Sequence, residues 1–99
     1  MSSQTPEGKF KKKICSELRK LGCTVLQYQQ GVGTVKGFPD TIVISEGITF
    51  FIEFKASKRA KFQPLQKEWI KKLNDNGHFA WILYPENEKE VMGEIKRIL

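Results

Sequence analysis

Two runs of β-branched and aromatic residues, Thr41 to Ser45 and Ile48 to Phe54, are separated only by Glu46-Gly47. Such a two-residue link ending in glycine specifies a β-hairpin, because the tight turns that follow strand twist need positive φ. The hairpin constrains the rest of the chain, since an antiparallel pair sets the start of its first strand beside the end of its second. Counted outward from the turn, Asp40 falls opposite Glu53 or within a residue of it. Lys55 shares the face of Glu53, because strand side chains repeat every two residues. Three charges are therefore expected to converge at the open end of the hairpin.

The flanking segments supply the partners. Thr5-Pro6 reads as a capping hydroxyl followed by a proline at the first helical position. Phe10, Ile14, Leu18 and Leu21 then step at helical spacing to Gly22. Extended one turn backward, this stripe reaches Glu7, at the edge of the apolar face. The alternation of Cys23, Val25 and Gln27 against Thr24, Leu26 and Tyr28 predicts a strand to Gln29 with both faces partly covered. Gln30 to Pro39, with Gly31, Gly33 and Gly37, reads as a bending loop. Ala56 to Phe62 is basic and without apolar period, an exposed loop. Pro64 opens a second helix with Leu65, Trp69, Ile70 and Leu73 as its apolar stripe, closed by Asn76-Gly77. Phe79 to Tyr84 predicts a short strand in a covered central position. Asn87 is the expected cap of a last helix with Val91, Ile95, Ile98 and Leu99 inward. The order helix, strand, hairpin, helix, strand, helix predicts an α/β fold, a mixed sheet with helices on both faces.

At 99 residues the chain is the size of a single domain, 1–99. The 17 Lys and Arg against 11 Asp and Glu give a net charge of +6, which favours acidic phosphodiester partners. The longest apolar stretch, Ile48 to Phe54, falls far short of the roughly 20 residues a membrane span needs. No apolar run follows the charged start, so a secretory signal is not expected and the cytoplasm is. Cys15 and Cys23 are too few for a disulfide framework and read as small buried residues in a reducing compartment.

Burying a carboxylate or an ammonium costs several kcal/mol unless something compensates, so charges placed where the pattern predicts burial are informative. Two carboxylates at hydrogen-bonding range raise one pKa or demand a cation between them. Asp40 and Glu53, a backbone carbonyl such as that of Phe54, and several waters form the oxygen set that usually holds Mg²⁺, with Mn²⁺ as the alternative. Such an ion polarises a phosphate and activates a water for attack on phosphorus. Lys55 beside it is placed to help deprotonate that water or to offset transition-state charge.

Pro39-Asp40 followed by Glu53-Phe54-Lys55 resembles the signature of the PD-(D/E)XK nucleases. The segments Gly31-Val32-Gly33, Gly37-Phe38-Pro39-Asp40, Glu53-Phe54-Lys55 and Pro64-Leu65-Gln66-Lys67-Glu68-Trp69 resemble more narrowly its VRR-NUC branch, from Glu7 to about Tyr84. Ala56 to Phe62 lacks the glycine that often follows the family lysine, and Phe62-Gln63 precedes Pro64 in place of small polar residues. The resemblance implies a restriction-endonuclease-like αβββαβ core, here with an added C-terminal helix. It implies divalent-metal-dependent cleavage of DNA, with Glu7, here also a metal ligand through water, and Gln66 joining Asp40, Glu53 and Lys55 in the site. It further implies the habit of stand-alone viral (phage) and bacterial members: nicking of branched DNA, four-way (Holliday) junctions above all, as a homodimer.

Each residue has a plainer alternative. Asp40 caps a turn, Glu53 and Lys55 form an exposed cross-strand ion pair, Glu7 is a solvated first-turn acid, and Gln66 lies on a helix surface. Trp69 reads as core, His78 as a loop residue, and Tyr28 either packs or touches nucleic acid. Lys36, Lys58, Arg59, Lys61 and Lys67 are the candidate DNA contacts. With Lys71, Lys72 and the solvated lysines and arginines of the first helix (9, 11, 12, 13, 19 and 20), they form a basic surface beside the site. Competing readings are a non-catalytic DNA-binding module on the same fold, a monomeric flap nuclease, and a structural protein. Dimer interface candidates are the apolar parts of the first strand, the exposed side of the first helix, and the last helix around Met92 and Ile98.

Overall fold

The computed structural model describes residues 5–27, 35–62 and 64–99. Helix α1 spans Pro6–Lys20, with the Thr5 hydroxyl accepting the Gly8 N–H at 3.0 Å as its N-cap. Strand β1 is Thr24–Gln27, β2 is Thr41–Ser45 and β3 is Ile48–Phe54, joined to β2 by the expected turn with Gly47 at φ 75°. Helix α2 spans Pro64–Asp75, strand β4 Phe79–Leu83, and helix α3 Glu88–Ile98 after a 3₁₀ turn at Pro85–Asn87. The sheet order is β1-β2-β3-β4, with β1, β2 and β3 antiparallel. Strand β4 runs parallel to β3, as a crossover through a helix requires. The predicted mixed sheet between helices is the observed one.

One face of the sheet is sealed by α1 and α3. Phe10, Ile14 and Leu18 from α1 and Val91, Met92 and Ile95 from α3 pack with Val43, Phe50, Ile52, Phe54 and Leu83 of the strands. Cys15 and Cys23 are buried as free thiols. On the opposite face α2 lies over the β3–β4 half, and its sole fully buried residue among those described is polar, Gln66. Among the described residues no helix is long and apolar enough to cross a membrane.

Several local expectations are corrected. Strands β1 and β4 form the two edges of the sheet, so neither has the covering expected of it: Thr24, Leu26 and Gln27 are exposed, and Phe79 is 40% exposed. Leu21 leaves the α1 stripe because it is the C-cap, where the chain turns through Gly22 at φ 92°. Leu65 and Leu99 are exposed as well. Asn87 makes no cap bond; its side chain accepts the Tyr84 N–H and donates to the Ile82 carbonyl, both at 2.9 Å, which ties the exit of β4. Met92, expected at a dimer interface, is buried in the core at 5% exposure and offers almost no surface to a partner. Tyr28, the strand extension to Gln29 and the Gly31-Val32-Gly33 motif lie outside the described residues.

Candidate active site

The register that pairs Thr41 with Ile52 brings Asp40, one step further, to Glu53. The Asp40 N–H donates to Glu53 Oε1 at 3.2 Å. The second oxygen, Oε2, accepts the Gln66 side-chain amide at 3.0 Å and lies 3.8 Å from the Lys55 ammonium. Glu53, Lys55 and Gln66 are all buried, at 5%, 9% and 7% exposure, so none behaves as a solvated surface residue. Phe38, between Gly37 and Pro39, meets Phe51 and Trp69 edge to face at 5.6 and 5.1 Å, which packs the turn carrying Asp40 against α2. Trp69 is thus engaged in packing, and His78 sits at the rim of the same cluster against Phe51.

Gly37 explains how α2 comes so close. Its φ is 82°, and a Cβ there would stand 2.5 Å from the Leu65 Cβ and 2.8 Å from the Leu65 carbonyl carbon. Only glycine permits both the turn and this approach. In this first turn of α2 Gln66 is buried at 7% exposure, while Leu65, packed through its Cβ on Gly37, is 38% exposed.

Burial pushes the Glu53 carboxyl up from its ordinary 4.5 to about 7, and the neighbouring Asp40 carboxylate pushes the same way. Lys55 and the Asp40 N–H pull it back, while Glu7 adds a smaller upward push from the first turn of α1. Glu7 is thus near enough to be felt electrostatically. The donors that the cluster offers are hard oxygens.

The Phe54 carbonyl fits the same set. Because the Lys55 N–H bonds to the Leu83 carbonyl on β4, the Phe54 carbonyl of the same peptide faces the other way, toward β2. The residue opposite it in register is Pro39, which has no N–H to offer. Among the described residues no three His, Cys, Asp or Glu side chains are gathered closely enough to enclose an ion. Two carboxylates, a carbonyl and water suit Mg²⁺, which keeps much of its hydration, better than an ion caged by protein alone.

One contributor was not expected. Lys11, grouped by sequence with the solvated lysines of α1, reaches Asp40 Oδ2 at 3.1 Å and lies 5.8 Å from the centre of the Phe54 ring. Glu7 and Lys11 are four residues apart and so share a helix face, a signal the sequence did contain. The other Asp40 oxygen accepts the Thr41 hydroxyl at 3.0 Å.

The candidate DNA contacts are all exposed: Lys36, Lys58, Arg59, Lys61 and Lys67. Lys67 and Lys55 each lie 5.1 Å from the centre of the Phe62 ring, so that ring links the buried lysine to the exposed one.

No protein-family model and no curated protein sequence matches the chain. A solved structure described as a VRR_NUC domain matches with a TM-score of 0.76 at 23% identity, over 91% of this chain and 96% of that one. The fold is that of a VRR_NUC domain. On this VRR_NUC fold the charged cluster occupies the end of β3, between the first turns of α1 and α2.

Proposed function

We propose that the chain is a divalent-metal-dependent DNA endonuclease of the VRR-NUC type. The observation that carries this reading is half-buried Asp40 paired with buried Glu53, with Gln66 and Lys55 against it, on a VRR_NUC fold. A surface that merely binds DNA gains nothing from two carboxylates facing phosphates. The net charge of +6 and the exposed Lys36, Lys58, Arg59, Lys61 and Lys67 favour a nucleic-acid substrate over a small phosphate ester.

In this mechanism Asp40, Glu53 and the Phe54 carbonyl hold Mg²⁺ or Mn²⁺. When bound, the ion supplies Lewis-acid polarisation of the scissile phosphate and a more acidic water. Gln66 donates to Glu53 Oε2 and so fixes the rotamer of a ligand whose other oxygen is held by the Asp40 N–H. Lys55, fixed by Glu53 and the Phe62 ring, presents positive charge where the phosphorane gains negative charge. Glu7 orients water from the first turn of α1. Branched DNA, four-way junctions first among them, is the proposed substrate, cut by a homodimer because paired symmetric nicks need two sites.

The test is cleavage of labelled four-way junction, flap, duplex and single-stranded DNA with Mg²⁺, Mn²⁺ or EDTA. Metal-dependent symmetric nicks on the junction are expected. Asp40→Asn and Lys55→Ala should each lower the rate by roughly a thousandfold, the effect of removing several kcal/mol of transition-state stabilisation. Cleavage surviving both changes would sink the proposal. Preference for flaps would keep the nuclease and replace the dimer by a monomer. Binding in EDTA without cleavage under any condition would leave only a binding module.

A further inference from the structure

All four carboxylate oxygens of the Asp40–Glu53 pair already have protein partners. Glu53 Oε1 takes the Asp40 N–H, Glu53 Oε2 takes Gln66, Asp40 Oδ1 takes the Thr41 hydroxyl, and Asp40 Oδ2 takes Lys11. Three of these donors cannot readily leave. One is backbone, and Thr41 and Gln66 are buried. Lys11 differs in kind. It is charged, its side chain is 22% exposed, and it comes from α1 on a flexible four-carbon stem that can turn to solvent without disturbing the helix. Its ammonium occupies Asp40 Oδ2, an oxygen that a cation held by Asp40 would use.

We infer that Lys11 is the resident counter-ion of this site, occupying Asp40 Oδ2 and giving that oxygen up when a divalent cation binds. The inference rests on the metal reading of Asp40 and Glu53 and assigns a role to a residue outside that ligand set. Its consequence is that the protein competes with its own metal. The cation must displace an ammonium as well as shed water, so affinity without DNA is lower than the two carboxylates alone would give. The competition is specific to contact rather than to general charge, and neighbouring Lys12, exposed on the same helix, is the control for charge alone.

Mn²⁺ titration calorimetry on the full chain without DNA tests this, using wild type, Lys11→Met, Lys11→Arg, Lys12→Met and Asp40→Asn. Lys11→Met should bind Mn²⁺ about fivefold more tightly than wild type, the range expected when a partly exposed ion pair no longer has to be broken. Lys11→Arg should restore wild-type affinity and Lys12→Met should leave it unchanged. Melting in EDTA gives a second readout. Lys11→Met should melt below wild type, because the carboxylates lose their cation, and should gain more on addition of Mn²⁺.

Equal or weaker Mn²⁺ binding by Lys11→Met, with Asp40→Asn abolishing binding, would overturn the role of Lys11 and leave the metal site standing. Tightening by Lys12→Met as large as that by Lys11→Met would also overturn it, reducing the effect to net charge. Mn²⁺ binding absent from wild type, or unaffected by Asp40→Asn, would instead overturn the metal reading itself, and Lys11 with it.

Discussion

The two faces of the sheet solve different problems. Toward α1 and α3 the strands present Val43, Phe50, Ile52 and Phe54, each fully buried among other apolar side chains, and the free energy comes from area removed from water. Toward α2 the same β3 strand presents Glu53, and the helix answers with Gln66 instead of a leucine. Adjacent residues of one strand thus belong to two regimes. The first is nondirectional and tolerates rearrangement, whereas the second works only while each donor meets its acceptor. The comparison teaches that stability and chemistry are held by opposite sides of one strand, so substitutions should separate them.

The sharpest way to break the comparison is a deletion on the apolar side. Phe50 is fully buried and meets Trp81 edge to face at 5.7 Å. Phe50→Ala should cost about 3 to 5 kcal/mol in urea unfolding, with the rate per folded molecule nearly unchanged. Since a domain of this size has only about 5 to 15 kcal/mol in total, the variant should be folded only at low temperature. A loss below about 1 kcal/mol would show that the face is not close-packed.

Gly37→Ala should act on the polar side with a smaller loss of stability and a larger loss of activity. An added methyl meets Leu65 and is strained at a φ of 82°, so a loss of about 2 to 4 kcal/mol is expected. Relief of the contact moves the first turn of α2 outward and takes Gln66 off Glu53, so nicking should fall even at temperatures where the variant is fully folded. Gly22→Ala is the matched control. That residue also has positive φ, 92°, but open space around it, so it should lose stability alone. Equal activity in the two variants would break the link between Gly37 and the site.

These contrasts also mark what the sequence made legible. The hairpin was readable because a two-residue turn fixes register, and register alone brings Asp40 to Glu53. The charged cluster was readable because carboxylates are rare where period-two alternation predicts burial. Strand order was not readable: β1 and β4 are apolar enough to be central, and only nonlocal pairing makes them edges. Asn87 has the chemistry of a cap, but the unpaired Tyr84 N–H and Ile82 carbonyl at the strand exit compete for its side chain and win. Lys11 was missed because a lysine on a helix is solvated by default, and only its placement four residues after Glu7 distinguished it from Lys9 and Lys12. Helical spacing puts Leu65 on the inward stripe, whereas in the fold the buried residue of that turn is Gln66, bonded to Glu53.

The smallest predicted effect sharpens the comparison through pH. Burial and the Asp40 charge raise the Glu53 carboxyl from 4.5 to about 7 in the folded chain. Between these values the native state keeps a proton that the unfolded chain has released. Stability of the metal-free protein therefore falls as pH rises from about 4.5 to about 7, and is flat in this respect above that. Over pH 5 to 8 the change should be about 2 to 3 kcal/mol. Melting in EDTA from pH 5 to 8 should show this decline in wild type. Glu53→Gln, which removes the charge and retains the shape, should lack that part of it. The apolar face provides the control, because a core variant such as Phe50→Ala should shift the whole curve downward without changing the difference that Glu53→Gln makes. Parallel pH curves for wild type and Glu53→Gln would mean that Glu53 ionises as readily in the fold as outside it, and that the polar side of β3 is wetter than its burial implies.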